Sequence, residues 1–307
     1  MKKVVSLVMA ALLCMSALAG CTSTDGTSST GGSSTTGGTS SAAQTGDTGM
    51  SGPITVISRE EGSGTRGAFV ELMGIETDEG DMTTENAEIA NSTSLVQNTV
   101  SGNKAAIGYI SLGSYDSSAV KAVKVDGVEA SVENIKAGKY AVSRPFVICY
   151  REENLTDLGK DFVKFIMSAE GQQILNDEGY IAADDNAESY TASGLTGNLS
   201  LNGSTSVGPV MEVLAEAYME LNSGVTIDIQ QTGSGTGITA TIDGSCEIGM
   251  SSRELKDEEI SEGLTPVTIA LDGIAVIVNQ ENTIEDLTSE QIRQIYTGEV
   301  TDWSEIG

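Results

Sequence analysis

The sequence contains no histidine. That removes the commonest general base and the commonest metal ligand, and with them the Ser-His-Asp and Cys-His nucleophile systems. No catalytic group, metal or cofactor is expected. Cations are scarce as well: 16 Lys and Arg stand against 44 Asp and Glu, a formal net charge of −28. A nucleic-acid partner is excluded, because gripping a phosphate backbone takes clustered cations that release counterions. Thirteen aromatics (4 Phe, 8 Tyr, 1 Trp) are few for a surface that would stack sugars or bases. The 4 cysteines match no metal-binding spacing. The apolar run at residues 4–18 is too short for a lasting membrane span.

What is present begins with an address. Lys2-Lys3, the apolar run and then Ala19-Gly20-Cys21 read as an export signal over residues 1–20. Leu18-Ala19-Gly20-Cys21 resembles the lipobox of bacterial lipoproteins, which implies cleavage before Cys21, diacylation of its sulfur and a place on the extracellular face of the cell membrane. The alternative is ordinary secretion with Cys21 as a stray thiol. Of the thirty residues 22–51, 24 are Ser, Thr or Gly. Such a segment cannot bury a core and acts as a flexible tether with a reach of ~30 Å. Residues 21–51 are thus read as lipidated cysteine and tether, and the folded part starts near Gly52. Cys14 leaves with the signal. Cys149 and Cys246 remain, and the apolar neighbours Val147 and Ile148 favour buried free thiols over a disulfide.

The folded part repeats one piece of chemistry. Residues 54–58 form a β-rich run, followed by Arg59-Glu60-Glu61-Gly62-Ser63-Gly64-Thr65-Arg66-Gly67 and then a helical pattern from Ala68. Residues 199–202 lead into Gly203-Ser204-Thr205-Ser206-Val207-Gly208, with Pro209 suited to a first helical turn. Residues 225–229 lead into Gln230-Gln231-Thr232-Gly233-Ser234-Gly235-Thr236-Gly237 and a further helix. Each unit puts Gly, Ser and Thr where a strand becomes a helix. The first N–H groups of a helix lack intrahelical partners and carry the positive end of the dipole; glycine admits a ligand, and hydroxyls rotate to meet it. One such loop is explained by capping alone. Three of them, one starting at Arg59, point to a convergent anion site. No loop has the spacing or the lysine of a nucleotide fingerprint, so a small tetrahedral oxyanion is the expected ligand.

Taken with Glu247-Ile248-Gly249-Met250-Ser251-Ser252-Arg253, Asp272-Gly273-Ile274-Ala275-Val276, Ala106-Ile107-Gly108-Tyr109 and Tyr296-Thr297-Gly298, these residues resemble the phosphate-binding proteins of bacterial phosphate ABC transporters. The resemblance implies an α/β, two-lobed type II periplasmic-binding-protein fold, each lobe a mixed sheet flanked by helices. The order of the segments is exchanged: the family pattern runs from 197–307 into 52–190, so the chain reads as a circular permutation with residues 191–198 joining the old ends. Lobe 1 is then expected at 116–279 and lobe 2 at 52–115 plus 280–307, with crossings near residues 274–279 and 112–120.

Carried over residue by residue, the resemblance implies that Thr205, Ser206, Ser234 and Ser252 hold inorganic phosphate from one lobe and Arg59, Ser63, Gly64 and Thr65 from the other. Arg59 is the one charged, forked donor among them. Many relatives carry aspartate where Ser252 stands, where it accepts the proton of hydrogen phosphate and repels sulfate; Glu60, Glu61 or Asp272 is left as a substitute. Arg66 and Arg253 are balanced between pairing with acids and touching ligand. The implied function is a monomeric, non-enzymatic solute-binding lipoprotein that delivers phosphate to an ABC permease. The alternatives are an anion sensor, a surface-interaction lipoprotein, or a receptor for sulfate, molybdate or a phosphonate.

Overall fold

The computed structural model describes residues 49–306; the export signal, Cys21 and nearly all of the expected tether lie outside the described residues. The fold is organised by one strand of fifteen residues, Thr265–Asn279, here called the spine. From Gly273 to Val278 it is buried at every position, as a strand covered on both faces must be. The spine changes neighbours part-way. Residues 265–273 pair antiparallel with Ser143–Tyr150, while 274–278 pair antiparallel with Ala106–Ser111.

Each half of the spine carries a mixed sheet. On one side, Ser143–Tyr150 is followed in order by Ile248–Ser251, Gly197–Gly203 and Val225–Gln231, the last three parallel to one another. On the other, Ala106–Ser111 is followed by the parallel strands Thr55–Arg59 and Glu88–Ala90. Phe146 and Ile148 face a core shared with Phe162, Phe165, Leu201 and Tyr218, while the alternate residues Val147 and Cys149 face Ile238, Leu255 and Leu264. In the other lobe, Phe69, Tyr109, Tyr296 and Trp303 share one core, and Ile57, Val96, Val100 and Ile110 pack beneath the opposite face of the sheet.

The lobe boundary differs from the one expected. Val120–Ala122 pairs with spine residues 277–279, and Ile135, Tyr140 and Val142 are buried with Phe69 and Trp303. Residues 116–142 therefore belong with 52–115, and the chain crosses between the lobes at residues 142–143 and 273–274. Leu112–Ser114 is a 3-10 turn within one lobe and not a crossing. A short apolar strand such as Val120–Ala122 suits either lobe; only the pairing with the spine decides. The two ends of the folded region lie side by side. Ile54 N donates to Thr301 O (2.8 Å) and Trp303 N to Gly52 O (3.0 Å). The segment ahead of Gly197–Gly203 is fastened where Asp161 accepts bonds from Tyr190, Ser193 and Tyr218 at 2.6 to 2.7 Å.

Cys149 and Cys246 are buried and unbonded, as the sequence favours. Burial pushes the Cys149 thiol up to about 12, with Cys246 nearby adding to the effect. Neither thiol should react with iodoacetamide at pH 8 in the folded protein, whereas mass spectrometry after denaturation should find both modified. The helix Ser234–Ile242 lies so close to strand Gly197–Gly203 that a Cβ on Gly237 would overlap Asn202 O and Gly203 Cα. Gly237→Ala should cost about 1–3 kcal/mol, read as a lower urea midpoint with an unchanged slope.

Candidate functional site

The strands Thr55–Arg59, Glu88–Ala90, Gly197–Gly203 and Ile248–Ser251 all end at the cleft between the lobes, each followed by a Ser- or Thr-bearing turn. In an open α/β sheet this is the edge where ligands bind. Ser63 caps the helix Gly64–Leu72, its Oγ accepting from Arg66 N (3.3 Å), and Ser204 Oγ accepts from Ser206 N (3.1 Å) and Val207 N (3.3 Å) ahead of Gly208–Leu221. Capping and ligand chemistry are thus not exclusive. Gly233 stands at the mouth of Ser234–Ile242 with φ +99, a conformation that favours glycine. The positive ends of several helix dipoles point into one small volume.

The eight residues singled out in the sequence are all buried at this edge, and seven of them come into contact, while Ser63 turns its hydroxyl back to its own helix. Arg59 Nη2 donates to Thr205 Oγ1 across the cleft (3.0 Å). Thr65 Oγ1 and Ser206 Oγ lie 2.9 Å apart, and Ser234 Oγ and Ser252 Oγ 3.3 Å. Gly235 N donates to Gly62 O at 3.0 Å, a backbone bond between lobes. Gly64 makes the tightest approach: a Cβ there would lie 2.5 Å from Ser234 Oγ and 2.7 Å from Ser252 Oγ, both on the facing lobe. Buried hydroxyls are costly unless bonded, and here they satisfy one another, Thr65 with Ser206 across the gap and Ser234 with Ser252 within one lobe.

Two participants, Thr93 and Tyr109, were not singled out in the sequence. Thr93 opens the helix Thr93–Gly102, with its Oγ1 3.0 Å from Ser206 Oγ and 3.4 Å from Arg59 Nη1. Its signal, Asn91-Ser92-Thr93-Ser94 before Leu95-Val96, follows a strand of only three residues, too short to stand out. Tyr109 stacks on Phe69 at 3.9 Å between ring centroids; its hydroxyl pairs with Ser58 Oγ (2.9 Å) and accepts from Arg59 N (3.2 Å). Burial pushes this phenol's pKa up, so the hydroxyl stays neutral. Glu60, weighed in the sequence as a substitute acceptor for an aspartate at Ser252, forks its carboxylate onto Arg59 Nε and Nη2, both at 2.8 Å.

That fork changes the electrostatics of the site. Arg59 is 2% exposed and carries its own counter-charge, so its remaining donors act more by direction than by net charge. Among the substitutes considered for an aspartate at Ser252, Asp272 is occupied elsewhere: it pairs with Arg144 (3.1 Å) where the lobes join. Arg66 binds Asp81 (2.6 Å) and Arg253 forks onto Glu259 (2.9 and 2.7 Å), the acid-pairing alternative in both cases. Both arginines line a cleft of about 690 Å³ beside the hydroxyl cluster, together with Ser63, Ser143 and Arg144. Among the described residues, no group of three or more His, Cys, Asp or Glu could hold a metal ion.

Two lobes on a shared strand, with polar side chains converging at the strand ends between them, define a periplasmic-binding-protein-like architecture. A PBP superfamily domain matches residues 30–170 and 188–307. The phosphate-binding protein PstS 2 of Streptococcus agalactiae is 48% identical over 260 residues, covering 83% of this chain and 88% of that protein. PstS of Bacillus subtilis is 32% identical over 114 residues, 36% of this chain and 38% of its own. A crystal structure of the phosphate-binding protein of a phosphate ABC transporter from Streptococcus pneumoniae matches with a TM-score of 0.67 and 48% identity, covering 83% of this chain and all of that one. The chain belongs to the PBP superfamily and, within it, to the PstS phosphate-binding proteins.

Proposed function

We propose that this protein captures inorganic phosphate between its lobes and delivers it to the permease of a phosphate ABC transporter. The observation that carries the reading is the convergence of Arg59, Ser63, Gly64 and Thr65 with Thr205, Ser206, Ser234 and Ser252, from opposite lobes, in a chain 48% identical to phosphate-binding relatives. A tetrahedral oxyanion replaces the hydroxyl-to-hydroxyl bonds with charge-assisted ones from the same groups, while helix N-termini supply further N–H donors. Thr93 joins the set. The protein acts as a receptor and not as an enzyme. Its attachment is the lipid on Cys21 at the outer face of the membrane, with residues 22–51 as tether and the chain working as a monomer; among the described residues no helix is long and apolar enough to cross a membrane.

The lobes of this reading are 52–142 with 274–306, and 143–273. The exchanged order of halves is read as a circular permutation, supported by the adjacency of Gly52 and Trp303 and by a match to the Bacillus subtilis protein confined to 114 residues.

Phosphate should raise the unfolding midpoint in a thermal-shift panel that also holds arsenate, sulfate, molybdate and phosphonates; no shift with any oxyanion overturns the reading. Arg59→Ala should weaken phosphate binding by at least ~2 kcal/mol in calorimetry, the scale of a lost charged hydrogen-bond partner. Gly64→Ala should weaken binding by tenfold or more, ~1.4 kcal/mol, because its methyl meets Ser234 and Ser252 before the lobes close. The midpoint without ligand should hardly change.

A further inference from the structure

The two crossings between the lobes meet at a buried ionic cluster whose bonds run among its own members and not to the hydroxyl cluster. Asp272 and Arg144 face each other across the ladder of the spine with Ser143–Tyr150, next to the crossings at 273–274 and 142–143. Arg144 Nη2 and Nε donate to Asp272 Oδ2 at 3.1 and 3.3 Å. The other carboxylate oxygen, Oδ1, accepts from Ser111 Oγ at 2.9 Å. Ser111 belongs to the other lobe, where it pairs with Ile274 immediately past the crossing. The three residues are 1%, 3% and 0% exposed for Asp272, Arg144 and Ser111. Tyr180 closes the same joint: a Cβ on Gly113 would overlap its ring.

Ser111 ends the strand that neighbours Thr55–Arg59, and the two run parallel. Ser111 and Arg59 therefore stand at the same edge of one sheet, so rotation about the joint at 272–274 moves Arg59 relative to Thr205. We infer that Asp272 is a positioning residue: held by Arg144 within its own lobe and gripping Ser111 across the joint, it sets the angle at which the lobes close. The inference rests on the phosphate reading only for its binding readout.

A lone buried charge would destabilise the fold, so removing Arg144 or Asp272 singly is uninformative, whereas replacing both with apolar residues of similar size leaves a foldable protein. Ser111→Ala removes only the bond across the joint. In the full chain, Ser111→Ala and the double variant Arg144→Met with Asp272→Leu should release inorganic phosphate about tenfold faster in stopped flow, the effect of losing one hydrogen bond to a charged group. Small-angle scattering without ligand should give a larger radius of gyration for both variants, a readout that a purely stabilising role would leave unmoved. Ser111→Ala should lower the unfolding midpoint by only about 2–4 °C. Wild-type scattering and release rates in both variants would overturn the positioning role. If the parent chain binds no phosphate, the functional reading falls and scattering alone decides the role of Asp272.

Discussion

Fifteen residues of one strand, Thr265–Asn279, serve both lobes, and the geometry of the cleft depends on where that strand exchanges Ser143–Tyr150 for Ala106–Ser111. A strand satisfies its backbone groups only through neighbours, so the exchange must leave no buried N–H or C=O unpaired. It does so within one residue: Gly273 pairs with Ser143 and Ile274 with Ser111, while Ile274 N donates to Val142 O (2.8 Å). Gly273 has room for no side chain, since a Cβ would lie 2.6 Å from Ile135 Cδ1. The joint is therefore continuous as a sheet and narrow as a connection. Each lobe keeps its own core, and relative motion is confined to a few backbone bonds.

The site solves a problem set by composition. A chain of net charge −28 offers little long-range attraction to an anion, and Arg59 has its charge matched by Glu60. Long-range repulsion is screened beyond ~8 Å at physiological salt, whereas hydroxyls and helix N-termini act at contact distance. A pocket built from them favours an anion by the direction of its donors. That explains why so many of the donors are Ser, Thr and Gly and why they lie at strand ends, where the chain can turn them inward. Tyr109 and Phe69 supply the rigidity: their stacked rings hold Ser58 and the backbone of Arg59 in place from the core side. Preorganised dipoles lose less on binding than flexible cations.

How much of this was legible in the sequence follows from the range of each signal. The Gly-Ser-Thr loops are local, so Arg59, Ser63 to Thr65, Thr205, Ser206 and Ser234 could be read from the chain itself, whereas Ser252 came only with the resemblance. Their meeting in one place rested on resemblance, because spacing along the chain does not say which loops face each other. Thr93 was hidden behind a strand of three residues. The partners of Arg59, Arg66 and Arg253 were undecidable among 44 acids, since any nearby carboxylate fits the pattern. The lobe boundary was misplaced for the same reason: Val120–Ala122 has no pattern of its own that prefers one half of the spine to the other.

Chain order is the least constrained feature of the fold. The contacts that define each core join elements far apart in sequence, such as Phe69 with Tyr296 or Trp303 with Ala105, and they are indifferent to which end of the chain is made first. Exchanging two halves asks only that the former ends be spanned and that new ends open where few bonds cross. Loop-closure entropy grows slowly with length, so a joining segment such as residues 191–198 costs little. In the proposed permutation that segment is tied down where Ser193 donates to Asp161, which also accepts from Tyr190 just ahead of it, and this recovers some of its ordering cost. The new ends of that proposed permutation fall at Gly52 and Trp303, which are bonded to each other and remote in sequence from every loop that carries a hydroxyl into the cleft except the one after Arg59. Proposed phosphate capture survives the exchange because the site is assembled by the sheet edges and the joint, and neither depends on the direction in which the halves were linked.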